Sequence, residues 1–137
     1  MQESIQKLTK TFGDFIPEIL LVLGSGLGDF AARYMNDSVT LNYQEIPGFC
    51  PSTVTGHRGR LICGNIQGRG VACMQGRLHY YEGYTASEIT YPLRVLHAWG
   101  CPSLLITNAA GGINPEFQPG SFMLIKDHIN FMGENPL

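Results

Sequence analysis

One stretch, ILLVLGSGLGDFAARY (19–34), constrains the fold more than any other part of the chain. After Pro17 and Glu18 comes an apolar run far too short to cross a bilayer, but of the right length for a strand covered on both faces. A loop holding Gly24, Ser25, Gly26 and Gly28 interrupts it, and DFAARYM (29–35) then reads as a short helix. In such a β–α unit the glycines let backbone N–H groups point at an anion. The helix N-terminus would add its positive dipole end, and Ser25 a hydroxyl donor. A tight β–α turn with an incidental serine fits the same residues equally well.

The common nucleotide fingerprints do not fit this loop. A G-x-G-x-x-G pattern beginning at Gly24 needs glycine where Asp29 stands, and no Gly-Lys-Ser/Thr follows as a P-loop requires. A hydrolase nucleophile elbow needs one residue between glycine and serine, whereas Ser25 follows Gly24 directly.

Periodicity organises the rest. Ile5, Leu8 and Phe12 fall on one face of a predicted helix over 2–12. VTLNYQEI (39–46) reads as a second strand, and a Pro/Ser/Gly-bearing loop covers 47–59. RLICGNIQGRGVACMQG (60–76) reads as a hairpin joined at Gln67–Gly70, followed by a loop over 77–85. ASEITYPLRVLHAWG carries an apolar stripe of Ile89, Leu93, Leu96 and Trp99 that Thr85 or Ser87 can cap, with Gly100 as its stop. Pro92 inside that segment argues for a regular helix that starts only there. SLLITNAA (103–110) and SFMLIKDHI (121–129) read as further strands. Helices alternating with strands, mixed with a hairpin, predict an α/β fold with a mixed β-sheet flanked by helices. The final FMGENPL follows a strand with no closing helix, so residues 1–137 read as the N-terminal portion of a longer single domain.

Composition excludes several function classes. The 137 residues suffice for one core, and 17 glycines exceed average usage, so turns and close backbone approaches matter. A net charge of −2 argues against a nucleic-acid or membrane-surface partner. Cys50, Cys63, Cys73 and Cys101 form no CxxC pair, and three of them lie in or beside apolar runs, as buried free thiols do. His57, His79, His97 and His128 have no short ligand spacing, so no metal site is expected. Without a signal peptide at the start, a reduced cytoplasmic compartment is the expected location.

Three further stretches carry candidate chemistry. In GRLHYYEG (76–83), extended backbone aims Arg77, His79 and Tyr81 the same way: a guanidinium fork and an imidazole for phosphate oxygens, and a phenol for a sugar. Taken alone, the octapeptide is better explained as a polar hairpin end with aromatic packing. In TVTGHRG (53–59), His57 stands between glycines where it can close over an anion, although a solvated surface histidine explains that stretch more simply. In TNAAGGINP (107–115) a buried strand ends in small residues against which a flat ligand can lie, at the carboxyl end where open α/β sheets bind ligands. A glycine turn is the plainer account.

Together LGSGLGDF, IPGFCPSTVTGHRGRL, CMQGRLHYYEGY, TNAAGGINPEFQPGSFMLIKDHIN and the terminal NPL resemble the trimeric, low-molecular-mass class of purine nucleoside phosphorylases, in family order over nearly all of 19–137. The resemblance implies reversible phosphorolysis of purine nucleosides, with inorganic phosphate as co-substrate, no metal or organic cofactor, and a homotrimer. By motif matching Ser25, His57, Arg77, His79 and the backbone at Ala109 bind phosphate, with Arg77 and His79 also catalytic. Tyr81, Ala110 and Gly111 line the nucleoside site, and Glu82 organises Arg77 or His57 from behind. Family members are much longer, and their base-recognising residues lie beyond Leu137. The segment is therefore expected to hold most of the phosphate site and little of the base site. A methylthioadenosine phosphorylase of the same fold, or a truncated phosphate- or nucleoside-binding fragment without catalysis, is the alternative.

Overall fold

The computed structural model describes residues 1–51 and 58–136. Helix α1 (Gln2–Phe12) leads into β1 (Ile19–Leu23), the short α2 (Phe30–Tyr34), β2 (Asn36–Asn42), β3 (Arg60–Ile66), β4 (Arg69–Gln75), α3 (Ala86–Ala98) and β5 (Ser103–Ile106). The strands form one mixed sheet in the order β2-β3-β4-β1-β5. The β2–β3 and β3–β4 pairs are antiparallel, whereas β4, β1 and β5 run parallel.

Side-chain alternation divides this sheet between two cores. Leu20 and Val22 of β1, Leu61 and Cys63 of β3, and Ala72 and Met74 of β4 pack beneath Leu8 of α1 and Val95 and Leu96 of α3. The residues between them, Leu21, Leu23, Ile62, Val71 and Cys73, turn to the other face, under Ala31 of α2 and Met35. Buried Ser4 ties the first layer together. Its Oγ donates to Pro47 O and accepts from Tyr91 Oη, each at 2.8 Å, linking α1 to a loop and to α3. The thiols of Cys63, Cys73 and Cys101 are free and buried, as the sequence predicted.

Several boundaries differ from the sequence expectation. The second strand starts earlier, at Asn36, and stops at Asn42, where Glu45 Oε2 accepts from Asn42 N (3.1 Å) and Nδ2 (2.8 Å) and winds Tyr43–Glu45 into a 3-10 turn. The hairpin turn narrows to Gln67–Gly68, both with positive φ (50° and 80°), the conformation a tight two-residue β-turn demands. Helix α3 starts at Ala86 rather than at Pro92. Glu88 Oε2 accepts from Thr85 N at 2.8 Å while Thr85 Oγ1 accepts from Glu88 N, and this reciprocal cap starts the helix ahead of the proline.

The C-terminal strands are the larger correction. Of the predicted 103–110, only Ser103–Ile106 is a strand: the ladder to β1 ends at the Val22–Ile106 pair, and past Leu23 β1 offers the later residues no partner. Residues 121–129 form no strand. They lie exposed, Phe122 and Leu124 fully so, and an apolar alternation without a neighbouring strand has no ladder to join.

Candidate active site

Three parallel neighbours, β4, β1 and β5, deliver their following loops to one end of the sheet. Ser25 stands two residues after the end of β1, Arg77 two after β4, and Ala109 three after β5. This is the carboxyl-end location where open α/β sheets bind ligands.

The loop after β1 turns with Leu27 N donating to Gly24 O at 3.2 Å, leaving Ser25 exposed. Gly24 itself is buried, and a Cβ there would stand 2.6 Å from Thr107 O and 2.9 Å from Asn108 Cα, so only glycine lets the two loops meet. The expected helix-dipole contribution is corrected: α2 is only five residues long, so any anion-directed polarity here comes from loop N–H groups and the Ser25 hydroxyl.

Arg77 is half-buried, and its Nη1 donates to Thr107 O at 2.7 Å, joining the loops after β4 and β5. His79 donates from both backbone N and Nδ1 to Glu82 Oε1, each at 2.8 Å, with the Glu82 side chain only 4% exposed. A carboxylate only accepts, so the shared bond assigns the ring proton to Nδ1 and directs Nε2 away from Glu82. Glu82 thus organises His79, a pairing that the sequence reading did not anticipate. Tyr81 does not continue an extended alternation, because Tyr80–Glu82 is a 3-10 turn. It stacks on the His79 ring at 4.9 Å and 16°, with 75% of its surface exposed.

Ala109, Ala110 and Gly111 are exposed on an irregular segment after Thr107, and open space surrounds the position a Gly111 Cβ would take. His57 lies outside the described residues. The structure therefore brings Ser25, Arg77, His79 and Ala109 to one sheet end with Glu82 behind His79.

Two contributors escaped the sequence reading. Buried Gln75, the last residue of β4, donates from Nε2 to Gly28 O and so holds the far end of the glycine loop. Its Oε1 has no hydrogen-bond partner among the described residues. Thr107 accepts from Gly24 N at 2.8 Å through Oγ1, which in turn donates to Val22 O at 2.9 Å. The available signal was a polar residue closing each apolar run, VACMQ and SLLIT.

Among the described residues no three His, Cys, Asp or Glu side chains stand together as metal ligands, and no helix is long and apolar enough to cross a membrane. Burial pushes the Cys73 thiol up to about 12 and that of Cys63 higher still, so both remain neutral packing groups.

Residues 18–137 match the phosphorylase superfamily. The chain is 54% identical over 121 residues to purine nucleoside phosphorylase 1 of Bacillus subtilis, covering 88% of this chain and 44% of that protein. It is 49% identical over 127 residues to the purine nucleoside phosphorylase of Mus musculus, covering 90% and 44% respectively. A solved structure of isoform 2 of the Schistosoma mansoni enzyme, in complex with cytosine and ribose-1-phosphate, superimposes with a TM-score of 0.85 at 42% identity, over 95% of this chain and 45% of that one. The chain thus spans less than half the length of these relatives. With the likeness running along nearly all of its residues, the chain belongs to the phosphorylase superfamily.

Proposed function

We propose that this chain supplies the phosphate wall of a purine nucleoside phosphorylase, catalysing reversible phosphorolysis of purine ribo- or deoxyribonucleosides. The observation that carries the reading is the convergence of the Gly24–Gly28 loop, Arg77 and His79, and the Thr107–Gly111 segment beyond three adjacent parallel strands. The similar proteins described above carry the purine nucleoside name, which favours this reading over a methylthioadenosine phosphorylase.

In this reaction a phosphate oxygen forms a bond to the anomeric carbon as the glycosidic bond breaks. The bonding pair leaves with the purine nitrogen, the base takes up a proton, and the pentose 1-phosphate remains. The phosphate must be held next to a ribose that is gaining positive charge, so catalysis by positioning and electrostatics suffices without a covalent enzyme intermediate.

The roles divide by chemistry. Ser25 Oγ, the loop N–H groups and the backbone at Ala109 donate to phosphate oxygens, and Arg77 contributes charged donors from its fork. His79 keeps its Nδ1–H for Glu82 and is left with Nε2 for the anion. His57 completes the phosphate set in this reading. Tyr81 offers its exposed phenol to the ribose, and Ala110 with Gly111 offers a small-residue backbone surface to the nucleoside. Inorganic phosphate is a co-substrate, and no metal or organic cofactor takes part. A cytoplasmic homotrimer belongs to the same reading and rests on the family resemblance.

Titrating the folded protein with phosphate, and incubating it with inosine, tests the reading. Saturable phosphate binding by the folded chain is expected, with phosphate-dependent hypoxanthine release wherever the base-recognising residues are also present. A folded chain that binds no phosphate, or hypoxanthine release that ignores phosphate, would overturn it.

A further inference from the structure

We infer that Thr107 is a positioning residue that couples Arg77 to the glycine loop; the inference rests on the phosphate reading above. Strand β1 ends at Leu23, so the N–H of buried Gly24 has lost its ladder partner at the point where the chain turns toward Ser25. Thr107 Oγ1 takes its place, accepting from Gly24 N at 2.8 Å. The same hydroxyl spends its single hydrogen on Val22 O at 2.9 Å, to which Thr107 N also donates at 3.0 Å. With its hydrogen committed, the hydroxyl presents lone pairs toward Gly24 and fixes the Leu23–Gly24 peptide plane, one residue before Ser25.

The other side of the residue faces Arg77. Its carbonyl accepts from Arg77 Nη1 at 2.7 Å, and this is the oxygen that a Gly24 Cβ would approach to 2.6 Å. Thr107 therefore has the glycine loop on its hydroxyl and the guanidinium on its carbonyl, and sets the distance between the two donor groups. Valine has the same shape and can do neither hydroxyl task, which leaves a buried N–H without a partner.

The test is steady-state kinetics on the intact protein, comparing Thr107→Val, Thr107→Ser and Arg77→Ala with the unaltered protein. Thr107→Val is expected to raise the phosphate KM roughly tenfold while the nucleoside KM stays within about twofold, and Thr107→Ser to return the phosphate KM to within about threefold. Should the valine variant not fold, Thr107→Cys, similar in volume with a poor acceptor, carries the same expectation. Both KM values rising together, an unchanged phosphate KM, or a serine variant as damaged as the valine would overturn the inference. If Arg77→Ala raises the phosphate KM and Thr107→Val does not, only the Thr107 inference fails. If an unaltered protein that also carries the base-recognising residues does not consume phosphate, the functional reading fails and this inference with it.

Discussion

Strands β4 and β5 flank β1 in the same parallel sense, and Ile19 faces Val71 on one side and Ser103 on the other. Both strands are apolar, and both feed the candidate site. Their surroundings nevertheless differ sharply. Val71 to Gln75 are all buried, with β3 paired along the other side of β4 and helices over both faces, whereas Leu104, Leu105 and Ile106 on the edge strand are each about half exposed. Apolar composition alone does not bury a strand; a second ladder and a cover on each face do. The site consequently has one wall fixed in the core, at Gln75–Arg77, and one held mainly by its ladder to β1 and the bonds through Thr107.

Matched truncations are the strongest way to break this contrast. Met74→Ala, in the core, is expected to cost about 2–5 kcal/mol, against less than about 1 kcal/mol for the half-exposed Leu105→Ala, both read by urea unfolding. Equal costs would mean that the two strands are equally enclosed. Gly24→Ala comes next. Its new methyl meets backbone on the β5 side, and the looser wall must give way, at about 1–3 kcal/mol in thermal unfolding. A variant as stable as the unaltered protein would show that the β5 wall shifts freely.

Thr85→Ala is a smaller perturbation, removing the cap of the helix that links β4 to β5. It should cost about 1 kcal/mol and leave the β3–β4 hairpin protected from hydrogen exchange. The smallest effect is one of pH. Bonds from the Thr85 backbone and side chain hold the exposed Glu88 carboxyl below its ordinary value. A lowered folded-state value means stabilisation that is present above the ordinary carboxylate range and lost as pH falls through the folded one. Glu88→Gln should accordingly be slightly less stable than the unaltered protein at neutral pH, with the gap closing in acid unfolding curves.

Much of the fold was legible because apolar periodicity speaks for elements that bury a face. Leu8 of α1, the β1 run, the β3–β4 hairpin and the Leu96 stripe of α3 all read correctly. The start of α3 was misread because Pro92 outweighed the Thr85–Glu88 pair, although that pair is the signature of a capped N-terminus. The strand expected at 121–129 failed for a different reason. Alternation records a tendency to pair, and pairing needs a neighbour that sequence cannot supply. At the candidate site, the placement of Ser25, Arg77 and Ala109 just past strand ends was readable from the glycines and the ends of the apolar runs. Gln75 and Thr107 were not, since their partners Gly28 and Gly24 lie 47 and 83 positions away and only the sheet brings them near.

The central claim is that the loops after β4, β1 and β5 form a site for inorganic phosphate, with Arg77 as its charged donor. A phosphate titration followed by phosphorus NMR, on the folded protein and its Arg77→Ala variant, tests it most directly. Saturable binding is expected, weakening by roughly 10- to 100-fold in the variant, the loss that removing a charge-assisted contact brings. Equal affinity in the two proteins would contradict it.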